Sequence, residues 1–400
     1  MGKLRFFTTG ESHGRGLVGM LEGLPSGVPV QRDAIDNELR RRQGGYGRGG
    51  RMKIEQDHAE LLSGVRWGKT LGSPIAVFIE NRDHKNWLEG MSPEALHSGS
   101  VAAVTRPRPG HADLAGALKY AHDDVRNVLE RSSARETAAR VAIGAIAKQF
   151  LARFGVTIGS YVTQIGTAKM PPVDSSCLDR TLFEAADASP VRCPDEKVSQ
   201  KMIKQIDRAI QQGDTVGGVF EVVALNLPIG LGSHVQWDAK LDARLAYAVM
   251  SIQAIKGVEI GLGFGVSERF GSEVMDEIFF DKKRAAKAKN RMNCSPYYRE
   301  TNRAGGIEGG MTNGMPVIVR GAMKPIPTLR KALRSVDLST KKPFEAAYER
   351  SDTCAVPAAA VVGEAMVALV LSDAMLEKFG GDSLAETMRN YDSYLKQINS

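Results

Sequence analysis

The sequence predicts an α+β fold, with antiparallel sheets packed on central helices in a single large domain over residues 1–400. Three observations carry this. The run from Pro357 to about Leu371 is apolar nearly all round, so it must be buried between other layers. Stretches with alternating or continuous apolar character, the mark of strands, occur near 156–165, 217–227 and 315–323. No proline-rich linker or low-complexity segment divides the chain.

The elements follow in order. Residues 4–9 form a short strand that runs into a glycine-flanked histidine. Leu17 to Val30 mixes apolar residues with glycine and proline, so it reads as strand and turn. Asp33 to Arg42 reads as a short helix with Ile35 and Leu39 on one face. Arg40, Arg41 and Arg42 close it, where the helix dipole favours cations. A basic glycine-rich loop, Gln43 to Arg51, comes next. Residues 61–80 read as strands around the Gly68–Gly72 turn, and 83–100 as loop. The strongest helix starts at Ser133, where Ser133-Ala134-Arg135-Glu136 fits a capping box, and ends at Gly155. Further helices cover about Glu196–Gln212, closed by Gly213, and about Ala239–Met250. The tail from about Asp382 is polar and is expected to be peripheral.

Composition narrows the function. A net charge of +7 favours acidic partners: phosphorylated metabolites, polycarboxylates or nucleic acid. Aromatic residues, at 6%, are too sparse to favour base stacking. None of the four cysteines forms a Cys-x-x-Cys pair, so neither a metal site nor a redox dithiol is indicated. No run of about 18 apolar residues marks a membrane span, and no apolar N-terminal segment marks secretion. The expectation is a cytoplasmic enzyme.

Two motifs could mislead. Gly14-Arg15-Gly16-Leu17-Val18-Gly19 matches the dinucleotide fingerprint, but Gly23, Pro25, Gly27 and Pro29 follow where a helix is required. Gly64 to Thr70 resembles a P-loop, but three residues separate its glycines where the motif needs about four. The Arg/Gly loop keeps nucleic-acid binding open as an alternative, and Gly14–Gly19 does the same for a nucleotide-dependent oxidoreductase.

The chemistry lies elsewhere. Gly10-Glu11-Ser12-His13-Gly14 and Arg108-Pro109-Gly110-His111-Ala112-Asp113 place two histidines on tight turns, about a hundred residues apart, each with arginines near in sequence. Histidine titrates near neutrality, so this pairing suits proton movement on an anionic molecule. Arg131-Ser132-Ser133-Ala134-Arg135 puts two hydroxyls and two arginines at a helix start, which suits an anion. Lys324-Pro325-Ile326-Pro327-Thr328 is a rigid turn offering a cation and a hydroxyl. Asp352 precedes the buried helix and is either its cap or a carboxylate aimed into a pocket beside Arg350. Arginine binds carboxylate and phosphate bidentately, so convergence of Arg42, Arg48, Arg108, Arg135 and Arg350 would define a site for a polyanion.

Together with Gln253-Ala254-Ile255-Lys256-Gly257-Val258-Glu259 and Gly305 to Gly310, these motifs resemble the chorismate synthase family, in the family's order, from residue 10 to about 364. The resemblance implies a β-α-β sandwich and a homotetramer with FMN near subunit contacts. It implies conversion of 5-enolpyruvylshikimate 3-phosphate to chorismate and phosphate, a 1,4-anti elimination that requires reduced FMN without net redox change. It gives His13, His111, Asp352, Ser12 and Ser133 catalytic roles. Flavin contacts fall on Arg131, Ser132, Ser133, Gln253, Ala254, Gly309, Lys324, Pro325, Ile326, Pro327, Thr328 and Arg350. Arg42, Arg48, Arg108 and Arg135 would hold the substrate's phosphate and carboxylates; a nicotinamide nucleotide (NADP) is the alternative for the first two. No reductase domain is evident, so an external flavin reductant is expected, with no metal, nucleic acid or membrane partner.

Overall fold

Two antiparallel sheets enclose a layer of helices in the computed structural model, which describes residues 3–49, 55–282, 295–346 and 352–399. The first sheet holds β1 (Arg5–Thr9), β2 (Gly16–Glu22), β3 (Glu60–Ser63) and β4 (Ile75–Glu80), in the order β1-β2-β4-β3. Its inward face is written in the alternation expected of a half-buried strand: Leu17 and Leu21 on β2, and Ile75, Val77 and Ile79 on β4, are all buried. The second sheet holds β5 (Thr157–Ile165), β6 (Ala168–Lys169), β7 (Gly218–Leu225), β8 (Ile255–Ile260) and β9 (Val317–Met323), in the order β8-β9-β7-β5-β6.

The helices of seven residues or more among the described residues are α1 (Arg32–Gln43), α2 (Asp113–Tyr120), α3 (Arg126–Ser132), α4 (Thr137–Ala152), α5 (Arg180–Ala188), α6 (Glu196–Gln212), α7 (Leu241–Met250), α8 (Val356–Phe379) and α9 (Leu384–Asn399). Helix α4 packs on the first sheet and α8 on the second, and the two pack on each other. The expected sandwich is therefore present. The crossing is close because residue 144 is glycine: a Cβ there would lie 2.4 Å from the Cβ of Ala365. Helix α8 is long and apolar enough to cross a membrane by composition, yet most of it is buried inside the protein. Its one buried carboxylate, Glu364, is met by Arg41 (2.8 Å), Lys148 (2.7 Å), Arg192 (3.3 Å) and the Ser160 hydroxyl (2.5 Å). Burial opposes its ionisation, but these cations hold the carboxyl well below its usual range.

Helix α6 covers the expected residues because both ends are encoded locally. Asp195 accepts the Val198 N–H at 3.0 Å, and Gly213 takes the left-handed conformation at φ +65°. Helix α8 runs past the expected Leu371, since no breaker occurs before Gly380.

Other expectations are corrected. Helix α4 begins at Thr137, after a short 3-10 turn over Ala134–Glu136. Ser133 does cap that turn, accepting the Arg135 N–H at 3.3 Å. Glu136 does not complete the capping box, because its carboxylate is taken by Thr8, Arg140 and Gln253. The polar tail is not peripheral: it forms α9, and Tyr391 is fully buried against Phe154 and Phe379 with ring centroids 5.1 and 5.2 Å apart. The Gly14–Gly19 motif lies in a turn and in β2, an antiparallel strand, and Gly64–Thr70 contains a tight hairpin. Neither context is a nucleotide-binding one.

Candidate active site

The first histidine turn joins β1 to β2 and is held from three sides. Asn81, just past β4, donates its side-chain amide to the carbonyls of Glu11 (3.0 Å) and Gly14 (2.8 Å). Glu130 on α3 accepts the Ser12 N–H through its backbone carbonyl at 3.1 Å. Its buried carboxylate accepts the His13 N–H at 2.8 Å and lies 2.7 Å from the imidazole Nδ1. The imidazole packs on Trp87 with ring centroids 4.6 Å apart, and Asp83 lies 3.9 Å from Nε2. His13 stays 18% exposed, so it is neither core nor outer surface. The Ser12 hydroxyl donates to the Ser133 hydroxyl at 3.1 Å, which ties this turn to the segment before α4.

Beside it lies a guanidinium cluster. Arg42, at the end of α1, and Arg135 share one buried carboxylate, Asp57, at 2.9 and 2.6 Å. Arg135 also donates to Asn81 at 2.8 Å. Burial alone would raise the Asp57 pKa, but Arg42 and Arg135 outweigh that and hold it below its ordinary value. Burial draws the Arg42 guanidinium down, and the repulsion of Arg135 and Arg48 adds to this against the pull of Asp57. Arg48 pairs with Asp352 at 3.1 Å, and the Gly49 N–H reaches the same carboxylate at 2.6 Å. Gly47 makes this approach possible, because at φ +83° its carbonyl accepts the Thr353 N–H at 2.8 Å.

The second histidine turn leads into α2. Asp113 contacts the His111 Nδ1 and is held by Arg108 at 2.8 Å. Burial opposes ionisation of Asp113, but the bonds from His111 and Arg108 hold it well below the carboxylate range. Arg108 reaches the Thr328 hydroxyl at 3.2 Å, and Lys324 reaches the Gly110 carbonyl at 2.7 Å. Burial, with Lys256 nearby, draws the Lys324 pKa down.

A hydrogen-bonded path joins these groups. Arg131 donates to the Thr8 carbonyl (2.6 Å), Thr8 donates to Glu136 (2.5 Å), and Gln253 donates to Glu136 (3.0 Å). The Lys324 N–H then donates to the Ala254 carbonyl (2.9 Å), and the turn it opens ends at Thr328, beside Arg108 and His111. Asp352 joins through its neighbour: the Val216 N–H reaches the Thr353 carbonyl (3.0 Å), and the Thr215 hydroxyl reaches that of Ile326 (2.7 Å).

The chorismate synthase family model matches residues 4–376. The chain belongs to the chorismate synthase family. It is 58% identical to the chorismate synthase of Geobacter sulfurreducens over 397 residues, covering 99% of this chain and 100% of the relative. It is 54% identical to that of Aquifex aeolicus over 407 residues, covering 99% and 98%. A solved structure titled as a crystal structure of chorismate synthase superposes with a TM-score of 0.78 at 44% identity, covering 99% of this chain and 98% of that one.

Against the residues expected for this family, the path gathers Ser12, His13, Arg131, Ser133, Gln253, Ala254, Lys324, Ile326, Thr328, Arg108 and His111, with Ser132, Pro325 and Pro327 carried on the same segments. Arg42, Arg48, Arg135 and Asp352 line up beside it. Gly309 does not join it: it sits in the turn of a short hairpin (Ile307–Glu308 with Met311–Thr312) bridged to Gly232. Arg350, with Gly50 and Arg51 of the basic loop, lies outside the described residues. The donor set suits FMN: a lysine and hydroxyls for a phosphate, and a buried Gln253 Oε1 that has no hydrogen-bond partner among the described residues and would accept from a ring N–H.

Sequence reasoning missed Glu130, Asp57, Asn81, Asp83 and Trp87. Each sits in a stretch with no motif of its own. The one available signal was a surplus of arginines, which implied buried acids somewhere in the chain.

Proposed function

We propose that this chain catalyses the 1,4-anti elimination of phosphate from 5-enolpyruvylshikimate 3-phosphate, giving chorismate, with reduced FMN required and no net redox change. The observation that supports this reading is a set of linked contacts that carries two half-buried histidines, three hydroxyls, Arg108 and Arg131, with Arg42, Arg48 and Arg135 paired to carboxylates beside them. The substrate bears a phosphate and two carboxylates, which suits Arg42, Arg48, Arg108 and Arg135. Those arginines are already partnered by Asp57, Asp113 and Asp352, so the site presents a tempered positive charge rather than a bare cluster.

In this reading His13 protonates the departing phosphate, with its Nδ1 held on Glu130. Ser12 and Ser133 form the adjoining relay. His111 would sit against the flavin and hold its protonation state, and Asp352 would assist proton removal. Arg131, Ser132, Ser133, Gln253, Ala254, Gly309, Lys324 to Thr328 and Arg350 bind FMN. Reduced FMN, when bound, supplies the transient electron that side chains cannot.

The protein acts in the cytoplasm as a single-domain subunit of a homotetramer, and an external reductant supplies its flavin.

The test is anaerobic assay with prereduced FMN and the substrate. Phosphate and chorismate should appear in equal amounts while the flavin stays reduced. Stoichiometric oxidation of flavin or of NADPH, or no phosphate release, would overturn the reading.

A further inference from the structure

We propose that Glu130 is the positioning residue of His13, fixing the imidazole through Nδ1 and the turn through two backbone N–H groups; this rests on the reading of His13 as proton donor. Three bonds from one residue fix the turn. The Glu130 carbonyl accepts the Ser12 N–H (3.1 Å), and its carboxylate accepts the His13 N–H (2.8 Å) and contacts Nδ1 (2.7 Å). A carboxylate accepts and does not donate, so Nδ1 carries the proton in that contact. Glu130 is 3% exposed and sits on α3, so it offers a rigid anchor rather than a solvated partner. Trp87 covers the ring, and Arg126 in turn lies over Trp87 at 4.8 Å, which removes rotation as an alternative.

The two histidines differ in this respect. Arg108 holds the Asp113 carboxylate at 2.8 Å and also touches His111 at 3.1 Å, so a cation shares that contact. The cation at Glu130 is more remote, with Arg126 at 3.9 Å. Glu130 thus meets Nδ1 with its carboxylate alone at contact distance, while Asp83 is the second carboxylate facing the ring, 3.9 Å from Nε2. In the step, the bond between ring carbon and phosphate oxygen breaks and the electron pair leaves on that oxygen; over the elimination as a whole the pair of the ring C–H bond that is lost supplies the new double bond, and that proton leaves to a base. The oxygen takes the proton from Nε2, and the imidazole is left neutral with its Nδ1–H still on Glu130.

Glu130→Gln tests this. The amide oxygen must accept the His13 N–H, which turns the NH₂ toward Nδ1 and forces that nitrogen to accept. The ring can then no longer carry both protons. Turnover should fall by about 10²-fold, as for loss of an acid–base group, with FMN affinity and melting temperature nearly unchanged. A cycle with His13→Ala isolates the mechanism: in the His13→Ala background, Glu130→Gln should change turnover by less than about two-fold. Should the Gln variant not fold, Glu130→Asp keeps the charge but shortens its reach, and the same cycle applies. If Glu130 variants lower turnover as much without His13 as with it, or not at all while His13→Ala does, the proposal is wrong. If His13→Ala itself keeps normal turnover, the acid role of His13 has failed instead.

Discussion

Asp57→Asn tests the electrostatic design of the site. Asp57 is fully buried and serves Arg42 at 2.9 Å and Arg135 at 2.6 Å. Asparagine keeps the shape but removes the charge and turns an NH₂ toward one of the two guanidiniums. Breaking a buried pair by removing one partner costs about 3–5 kcal/mol. Unfolding entropy of about 2.1 cal/mol/K per residue gives roughly 0.8 kcal/mol/K for 400 residues, so the melting temperature should drop by about 4–6 °C at pH 7. The sign with pH follows from the depressed pKa of Asp57. Its contribution is fully present above the unfolded value, about 3.9, and is lost as pH falls through the lower folded value. The gap between wild type and variant, followed by thermal melts, should therefore stay constant down to about pH 4 and close below it. An unchanged melting temperature at pH 7, or a gap that persists undiminished in acid, would refute the claim that this carboxylate balances two buried arginines.

Three further outcomes are expected. His111→Ala should lower turnover by about 10²-fold in the prereduced-flavin assay, and near-normal turnover would remove its role. Arg48→Ala should weaken substrate binding more than FMN binding in spectroscopic titrations, because Arg48 pairs with Asp352 beside the arginine cluster; equal affinities for substrate in both proteins would contradict its placement. Gly144→Ala should destabilise by about 1–3 kcal/mol through overpacking, since its Cβ meets Ala365 at 2.4 Å, and Ala365→Gly should recover part of the loss; an unshifted urea midpoint in the single variant would show that α4 and α8 have slack.

Much of this protein is readable along the chain. Helix α6 is bounded by Asp195 and Gly213, whose effects act within one turn, so its ends need no tertiary information. Helix α8 reveals its burial through an apolar circumference, and β2 and β4 through alternation. The two histidine turns, the serine pair and the Lys324 turn are legible as unusual residues in tight backbone settings. The short helices α2, α3 and α5 are not, because seven to nine residues leave too little periodicity to read.

Only the tertiary structure decided which acid meets which base. Glu130 reaches His13 across 117 positions, and Asp57 reaches Arg135 across 78. Glu136 is the instructive case, since local rules direct it to the Ser133 cap but Thr8, Arg140 and Gln253 claim it. Capping and periodicity are set by neighbours within a few residues. A buried charge is set by whatever the folded chain packs against it, because desolvation makes an unmatched ion too costly to leave alone.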